Sequence, residues 1–223
     1  MSGFIDLRTW KRRDHYLWFR KYEQPFFSVT VEVDVTAAWS RSRHRGTPSF
    51  FLTSLFLMLR AANETEALRR RLRPRGVWCH DRVGVGPTIM RSDETFAFVR
   101  VEPADTLKEF VARAQPAIAT AAEQTGLKSP DNSRDDIVFH SVLPWLRFMS
   151  FTNALPGKGD SIPRVVFGRC AREGKRMTMP VAVEVHHALV DGLDVARFFE
   201  RFTANLEAPA AADDTRRLRR DRS

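Results

Sequence analysis

His186-His187-Ala188-Leu189-Val190-Asp191-Gly192-Leu193 is the stretch on which the reading of this chain turns. It follows Val181-Ala182-Val183-Glu184-Val185, where valines alternate with smaller or polar residues as on a strand. It precedes Asp194-Val195-Ala196-Arg197-Phe198-Phe199-Glu200-Arg201-Phe202, which reads as an amphipathic helix. A doubled histidine therefore arrives at a strand end, with an aspartate four positions after the second ring and a glycine at the turn. Imidazole is the side chain whose ordinary proton affinity suits base and acid work near neutrality. A lone histidine in such a place is usually structural, but two with Asp and Gly at fixed offsets point to a catalytic base.

Metal binding fits this pair poorly. Neighbouring residues of a strand point to opposite faces, so His186 and His187 cannot both hold one ion. Cys79 and Cys170 lie ninety-one positions apart without ligand-spaced partners. No metal site is expected. Two thiols without a disulfide pattern suit a reducing, cytoplasmic setting. The start, Met1-Ser2-Gly3-Phe4-Ile5-Asp6, has no signal-peptide character, and no apolar run reaches membrane-spanning length, so no membrane association is expected.

The 223 residues, 43% hydrophobic with 17 Phe and 5 Trp, suit a globular chain with a sizeable core. A net charge of +9 raises the question of nucleic acid, but the arginines are scattered and no nucleic-acid motif accompanies them. Residues 213–222 hold five Arg against three Asp, only +2 of that total. No nucleic acid is expected as a partner. A single domain over 1–207 is expected, with 208–223 a disordered tail of Ala, Asp and Arg.

Elsewhere the pattern mixes strands and helices without regular alternation, which indicates an α/β or α+β-like mixed fold with one large mixed sheet flanked by helices. Helices are expected over 10–22, after Thr47-Pro48 (Thr as cap, Pro at the first position), and after the capping pair Thr106 and Glu109, with Pro116 ending or kinking the last. Strands are expected at 27–33, 77–85, 95–101, 137–142, 147–152, 164–170 and 177–185. Residues 125–136 read as a polar loop.

Several segments together resemble one family. Val183-Glu184-Val185-His186-His187-Ala188-Leu189-Val190-Asp191-Gly192 is similar to the signature of the trimeric chloramphenicol acetyltransferases, which have the CoA-dependent acyltransferase fold. Trp10-Lys11-Arg12-Arg13-Asp14-His15-Tyr16 resembles the family's N-terminal helix, and Phe139-His140-Ser141-Val142-Leu143-Pro144-Trp145 its Ser-Ala-x-Pro-Trp strand. Trp78 and Glu94-Thr95-Phe96 fit its middle.

The resemblance implies an O-acetyltransferase that uses acetyl-CoA as co-substrate and chloramphenicol or a similar small alcohol as acceptor. His187 matches the base, and Ser141 matches the hydroxyl that donates to the tetrahedral oxyanion, ahead of Ser150. Asp191 and Arg12 match a salt bridge that holds the base-bearing turn. Arg45 and Arg169 fall near positions that contact the CoA end. Phe19, Phe27, Phe96 and Phe151 fit the acceptor pocket. The resemblance further implies a homotrimer whose sites lie at subunit interfaces, with His and Ser from different protomers.

Three departures stand against that pattern. Val166 replaces a Thr that helps hold a water, residues 152–160 replace a more apolar segment beside the acceptor, and Asp194 stands where His is common. The alternatives are an acyltransferase of the same fold for another small alcohol, or a ligand-binding relative without activity.

Overall fold

The protein is described here by a computed structural model that covers residues 2–127, 134–157 and 159–210. Among these residues the strands are β1 (Gly3–Phe4), β2 (Phe26–Asp34), β3 (Arg70–Arg73), β4 (Gly76–Cys79), β5 (Gly84–Met90), β6 (Phe96–Phe98), β7 (Ile137–Leu143), β8 (Arg164–Gly168), β9 (Ala171–Glu173) and β10 (Arg176–His186). The helices are α1 (Arg13–Phe19), α2 (Thr36–Arg41), α3 (Phe50–Glu64), α4 (Leu107–Glu123) and α5 (Gly192–Glu207). The large sheet runs β2-β10-β8-β7-β5-β6, with β9 beside β10, and β1-β4-β3 form a small one. β7 pairs in parallel with both β5 and β8, while β10 is antiparallel to β2 and β8, so the large sheet is mixed as expected.

The period of two along β10 sorts the molecule into two sides. Val181, Val183 and Val185 join the core that holds Phe198 and Phe202 of α5 and Leu55 of α3. Ala182, Glu184 and His186 point the other way and are buried as well. Register carries this division across the sheet. Ala182 stands opposite Val166, and Val166 opposite Ser141, so these three side chains share the face turned away from the helices. The chain between β7 and β8 covers part of that face: Ser28 Oγ donates to the Phe151 carbonyl, and Asn153 bonds Glu184.

α5 buries Val195, Phe198, Phe199, Phe202 and Leu206, a single stripe at helical spacing. Its start is capped by Asp191, which accepts from the Leu193 and Asp194 amides, while Asp194 accepts from the Asp191 amide. The departure at Asp194 thus closes a capping box.

Several expected boundaries need correction. α1 covers only 13–19, because the residues before it form turns on the Asp6 carbonyl. α3 is capped by Ser49, whose side chain accepts from Leu52; Thr47 instead donates to the Arg41 and His44 carbonyls. The strand expected at 77–85 is two, β4 in the small sheet and β5 in the large one. α4 runs through Pro116, which is exposed, so the carbonyl it leaves without an N–H partner lies on the solvent side. No strand forms at 147–152; the chain turns after Leu143, and Arg147 reaches Glu32 and Glu173. α2 had no expectation. Of the polar loop, residues 128–133 lie outside the described residues, as do 211–223 of the tail.

A buried arginine joins the two sheets. Arg71 has no exposed surface and donates to the carbonyls of Leu68, Arg70, Asp135 and Ile137 at 2.6–2.9 Å. Burial lowers its pKa to about 10.

His140 is buried on the helix side, its ring centroid 4.5 Å from that of Phe167, with neither nitrogen bonded among the described residues. Burial holds its pKa down to about 3. The unfolded chain binds a proton at this ring from about pH 6.5 downward, whereas the folded chain refuses it until about pH 3, so stability is full above that window and falls through it. Replacing His140 by Leu is expected to reduce the stability lost between about pH 7 and pH 4 by on the order of 2 kcal/mol. Urea unfolding at both pH values checks this, and an equal loss in both proteins contradicts it.

Candidate active site

β10 ends at His186, and the chain turns back at once: the Leu189 and Val190 amides donate to the His186 carbonyl at 2.9 and 3.1 Å. The His187 amide donates to the Pro25 carbonyl at 2.8 Å, tying the turn to the entrance of β2. From that turn the His187 ring lies parallel to Phe19, centroids 4.0 Å apart and planes 17° apart, and tilted on Phe27 at 4.8 Å. Its Nδ1 lies 3.1 Å from the Val190 carbonyl. A carbonyl only accepts, so this contact requires the proton on Nδ1 and leaves the Nε2 lone pair of the neutral ring for an incoming proton.

Arg12 completes the frame. Its guanidinium pairs with the Asp191 carboxylate and also donates to the His187 carbonyl at 3.1 Å. Burial works against the charge on Asp191, but Arg12 and the two backbone amides outweigh it, and the carboxyl stays below its ordinary range. The Arg12–Asp191 pairing that the resemblance implies is therefore present, and Asp191 both caps α5 and anchors the turn that carries His187. Phe19 and Phe27, expected as acceptor contacts, flank the ring itself.

His186 has a different setting. It is buried, its Nδ1 accepts from the Ala188 amide at 3.2 Å, and burial holds its pKa down to about 4. Its ring packs edge-on to Phe26, whereas that of His187 packs on Phe19 and Phe27. Neither cysteine offers an activated thiol, since burial pushes Cys79 up and Cys170 up to about 11.

Ser141 lies elsewhere, half-buried near the end of β7. It lines a cavity of about 450 Å³ with Phe51, Thr88, Phe96, Pro144, Trp145 and Phe151, and an adjoining one of about 420 Å³ with Gly86, Phe98, Phe139, Asn153 and Arg164. Phe96 and Phe151, which the resemblance assigns to the acceptor pocket, thus line a cavity with Ser141. Ser150 is exposed and lines neither cavity. Arg45 follows α2, and Arg169 lies three positions beyond Val166 at the sheet end that Ser141 approaches. Both are exposed, with no ion-pair partner among the described residues.

One chain does not bring His187 and Ser141 together. Ser141 stands across from Val166, and Val166 across from Ala182, five residues before His187. At about 4.8 Å between strands and about 3.3 Å per residue, that register puts roughly 19 Å between the two backbone positions. Each half carries exposed apolar side chains: Trp18 (65%) and Tyr22 (48%) by the histidine, Met90 (50%), Phe96 (45%) and Trp145 (58%) by the serine.

Among the described residues of 152–160, Asn153 and Asp160 supply a polar wall that no local sequence pattern singles out. The Asn153 amide and Nδ2 both donate to Glu184 Oε2, at 3.0 and 2.7 Å, and Arg164 pairs with Asp160 at 2.6 Å. Arg164 also lies over the rings of Phe26 and Phe139. The available signals were a carboxylate amid the valines of β10 and an Asp and Arg four positions apart.

A family model described as chloramphenicol acetyltransferase matches residues 2–203. This chain belongs to that family. It is 31% identical over 196 residues to chloramphenicol acetyltransferase 2 of Escherichia coli, covering 87% of this chain and 92% of the relative. It is 29% identical over 211 residues to a chloramphenicol acetyltransferase of Streptomyces acrimycini, covering 92% and 94%. A solved chloramphenicol acetyltransferase superposes with a TM-score of 0.85 at 28% identity, covering 92% of this chain and all of that one. A probable dihydrolipoamide acetyltransferase from Listeria monocytogenes has the same fold, with a TM-score of 0.67 at 13% identity, covering 93% and 96%. The protein is an acyltransferase, and its mixed sheet with flanking helices is the fold of these acyltransferase cores.

The dual use of Asp191 can be separated by substitution. Asp191→Asn preserves a good helix cap but removes the ion pair; Asp191→Ala removes both. Turnover is expected to fall in both, while only the Ala variant loses about 1 kcal/mol or more through the cap. Turnover and urea unfolding measured side by side check this; full activity of the Asn variant would show that the ion pair is not needed to hold His187.

Proposed function

We propose that this enzyme transfers the acetyl group of acetyl-CoA to a hydroxyl of chloramphenicol, at sites completed between subunits of a homotrimer. The observation that carries the reading is the pair of half-sites: an oriented imidazole on one surface and a cavity-lining serine on another, too far apart to act within one chain. Apolar rings flank each half, as an interface between copies requires. The reaction belongs in the cytoplasm, where acetyl-CoA is present.

His187 Nε2 accepts the proton of the acceptor hydroxyl as its oxygen attacks the thioester carbonyl. The carbonyl oxygen gains negative charge, and the Ser141 hydroxyl donates to it. Collapse of the tetrahedral centre breaks the carbon–sulfur bond. The His187 imidazolium returns its proton to the departing thiolate, leaving CoA and the acetyl ester. Arg12 and Asp191 hold the turn so that Nε2 meets the hydroxyl, and Phe19 and Phe27 hold the ring plane. Arg45 and Arg169 engage CoA phosphates as charged donors. Phe96 and Phe151 contact the acceptor.

One observation favours a second acceptor reading within the same chemistry. Asn153, Arg164 and Val166 give the wall near Ser141 a different balance of polar and apolar groups from the one the family resemblance implies. A more polar small alcohol suits that wall.

Thiol release from acetyl-CoA, measured with chloramphenicol and with a panel of alcohols, tests the assignment. Chloramphenicol-dependent release is expected, with His187→Ala lowering kcat roughly 10²- to 10⁴-fold and Ser141→Ala roughly 10²- to 10³-fold. Near-normal turnover in the His187 variant would reject the base. Release with another alcohol alone would move the acceptor to the second reading.

A further inference from the structure

Thr88, Ser141 and Val166 form one row across three parallel strands. Pro87 of β5 stands opposite His140, so Thr88 lies beside Ser141, and Ser141 stands opposite Val166. Thr88 Oγ1 donates to Ser141 Oγ at 3.1 Å. No other side-chain hydrogen bond reaches Ser141 among the described residues. On its second flank, Val166 presents only methyl groups. Both hydroxyl residues are half-buried, and both line the same two cavities.

A serine hydroxyl carries one proton and two lone pairs, and it rotates freely unless a neighbour selects one orientation. A proton donated by Thr88 occupies one lone pair on Oγ. The Ser141 proton then cannot point at Thr88 and is left for the cavity. A donated bond also polarises the acceptor's own O–H, so the chain of two hydroxyls donates more strongly than Ser141 would alone. Thr88 is suited to this, because a branched side chain on a strand has a restricted χ1.

We propose that Thr88 is a positioning residue for acyl transfer, whose hydroxyl turns and polarises Ser141 so that the Ser141 proton meets the oxyanion. The inference rests on the reading of Ser141 as oxyanion donor. It places the hydroxyl support for the transition state on the β5 side of Ser141, in a chain whose β8 side offers Val166.

The test is a double-mutant cycle on the whole enzyme, read as thiol release from acetyl-CoA with and without chloramphenicol, with melting curves to verify folding. Thr88→Val keeps the shape and removes the hydroxyl; Thr88→Ser keeps the hydroxyl. Thr88→Val is expected to lower kcat roughly tenfold with KM values changed less than about twofold, and Thr88→Ser to stay near wild type. In a Ser141→Ala background the same Thr88→Val change is expected to cost less than about twofold. An equal loss in both backgrounds, or a Ser variant as slow as the Val variant, overturns the proposal. So does an unchanged or raised kcat in Thr88→Val, which would mean that Ser141 donates to Thr88. A normal kcat in Ser141→Ala alone fails at the earlier step, removing Ser141 from the reaction and Thr88 with it.

Discussion

β10 is hydrogen-bonded along both edges, to β2 on one side and to β8 and β9 on the other, and it is buried on both faces. That double burial leaves its register no freedom. A slip of one residue would send Glu184 and His186 into the helix core and the valines to the polar side. The same alternation, carried through β8 to β7, decides that Ser141 looks away from the helices. It also decides where β10 ends, and so where His187 leaves the sheet. Both halves of the proposed chemistry are consequences of one strand's pairing.

The turn that follows would not hold an imidazole still by itself. It does so because three independent groups converge on it: Arg12 from before α1, Phe19 from α1, and Phe27 from β2. Asp191 joins this frame to α5 through its cap. The serine half has a different support, a row of strand residues and the polar wall built by Asn153, Glu184, Asp160 and Arg164. Orientation of His187 thus depends on long-range contacts, whereas orientation of Ser141 depends on neighbours in the sheet.

Much of this was legible in the sequence where a residue's job depends on local pattern. The alternation of β10, the amphipathic stripe of α5, and the His-His-x-x-x-Asp-Gly turn declare themselves within a dozen residues. The Arg12–Asp191 pair, separated by 179 positions, came from resemblance to a family and not from any spacing rule. Boundaries failed where a local signal was taken up by a tertiary one. Thr47 looks like a helix cap but closes the loop before it, and Pro116 looks like a stop but sits on the exposed side of α4, where one missing donor is tolerated. Thr88 and Asn153 were invisible because an isolated hydroxyl or amide carries no periodic signal; only sheet register puts them beside Ser141 and Glu184.

The central claim is that base and oxyanion donor act across an interface between copies. Mixing His187→Ala with Ser141→Ala subunits tests this directly, because each inactive chain retains the half that the other lacks. Co-assembled in equal amounts, the two are expected to regain activity at about one site in four, since each restored site needs one chain of each kind in the correct order. A mixture no more active than its two components measured separately, in assemblies shown to contain both chains, would contradict the account.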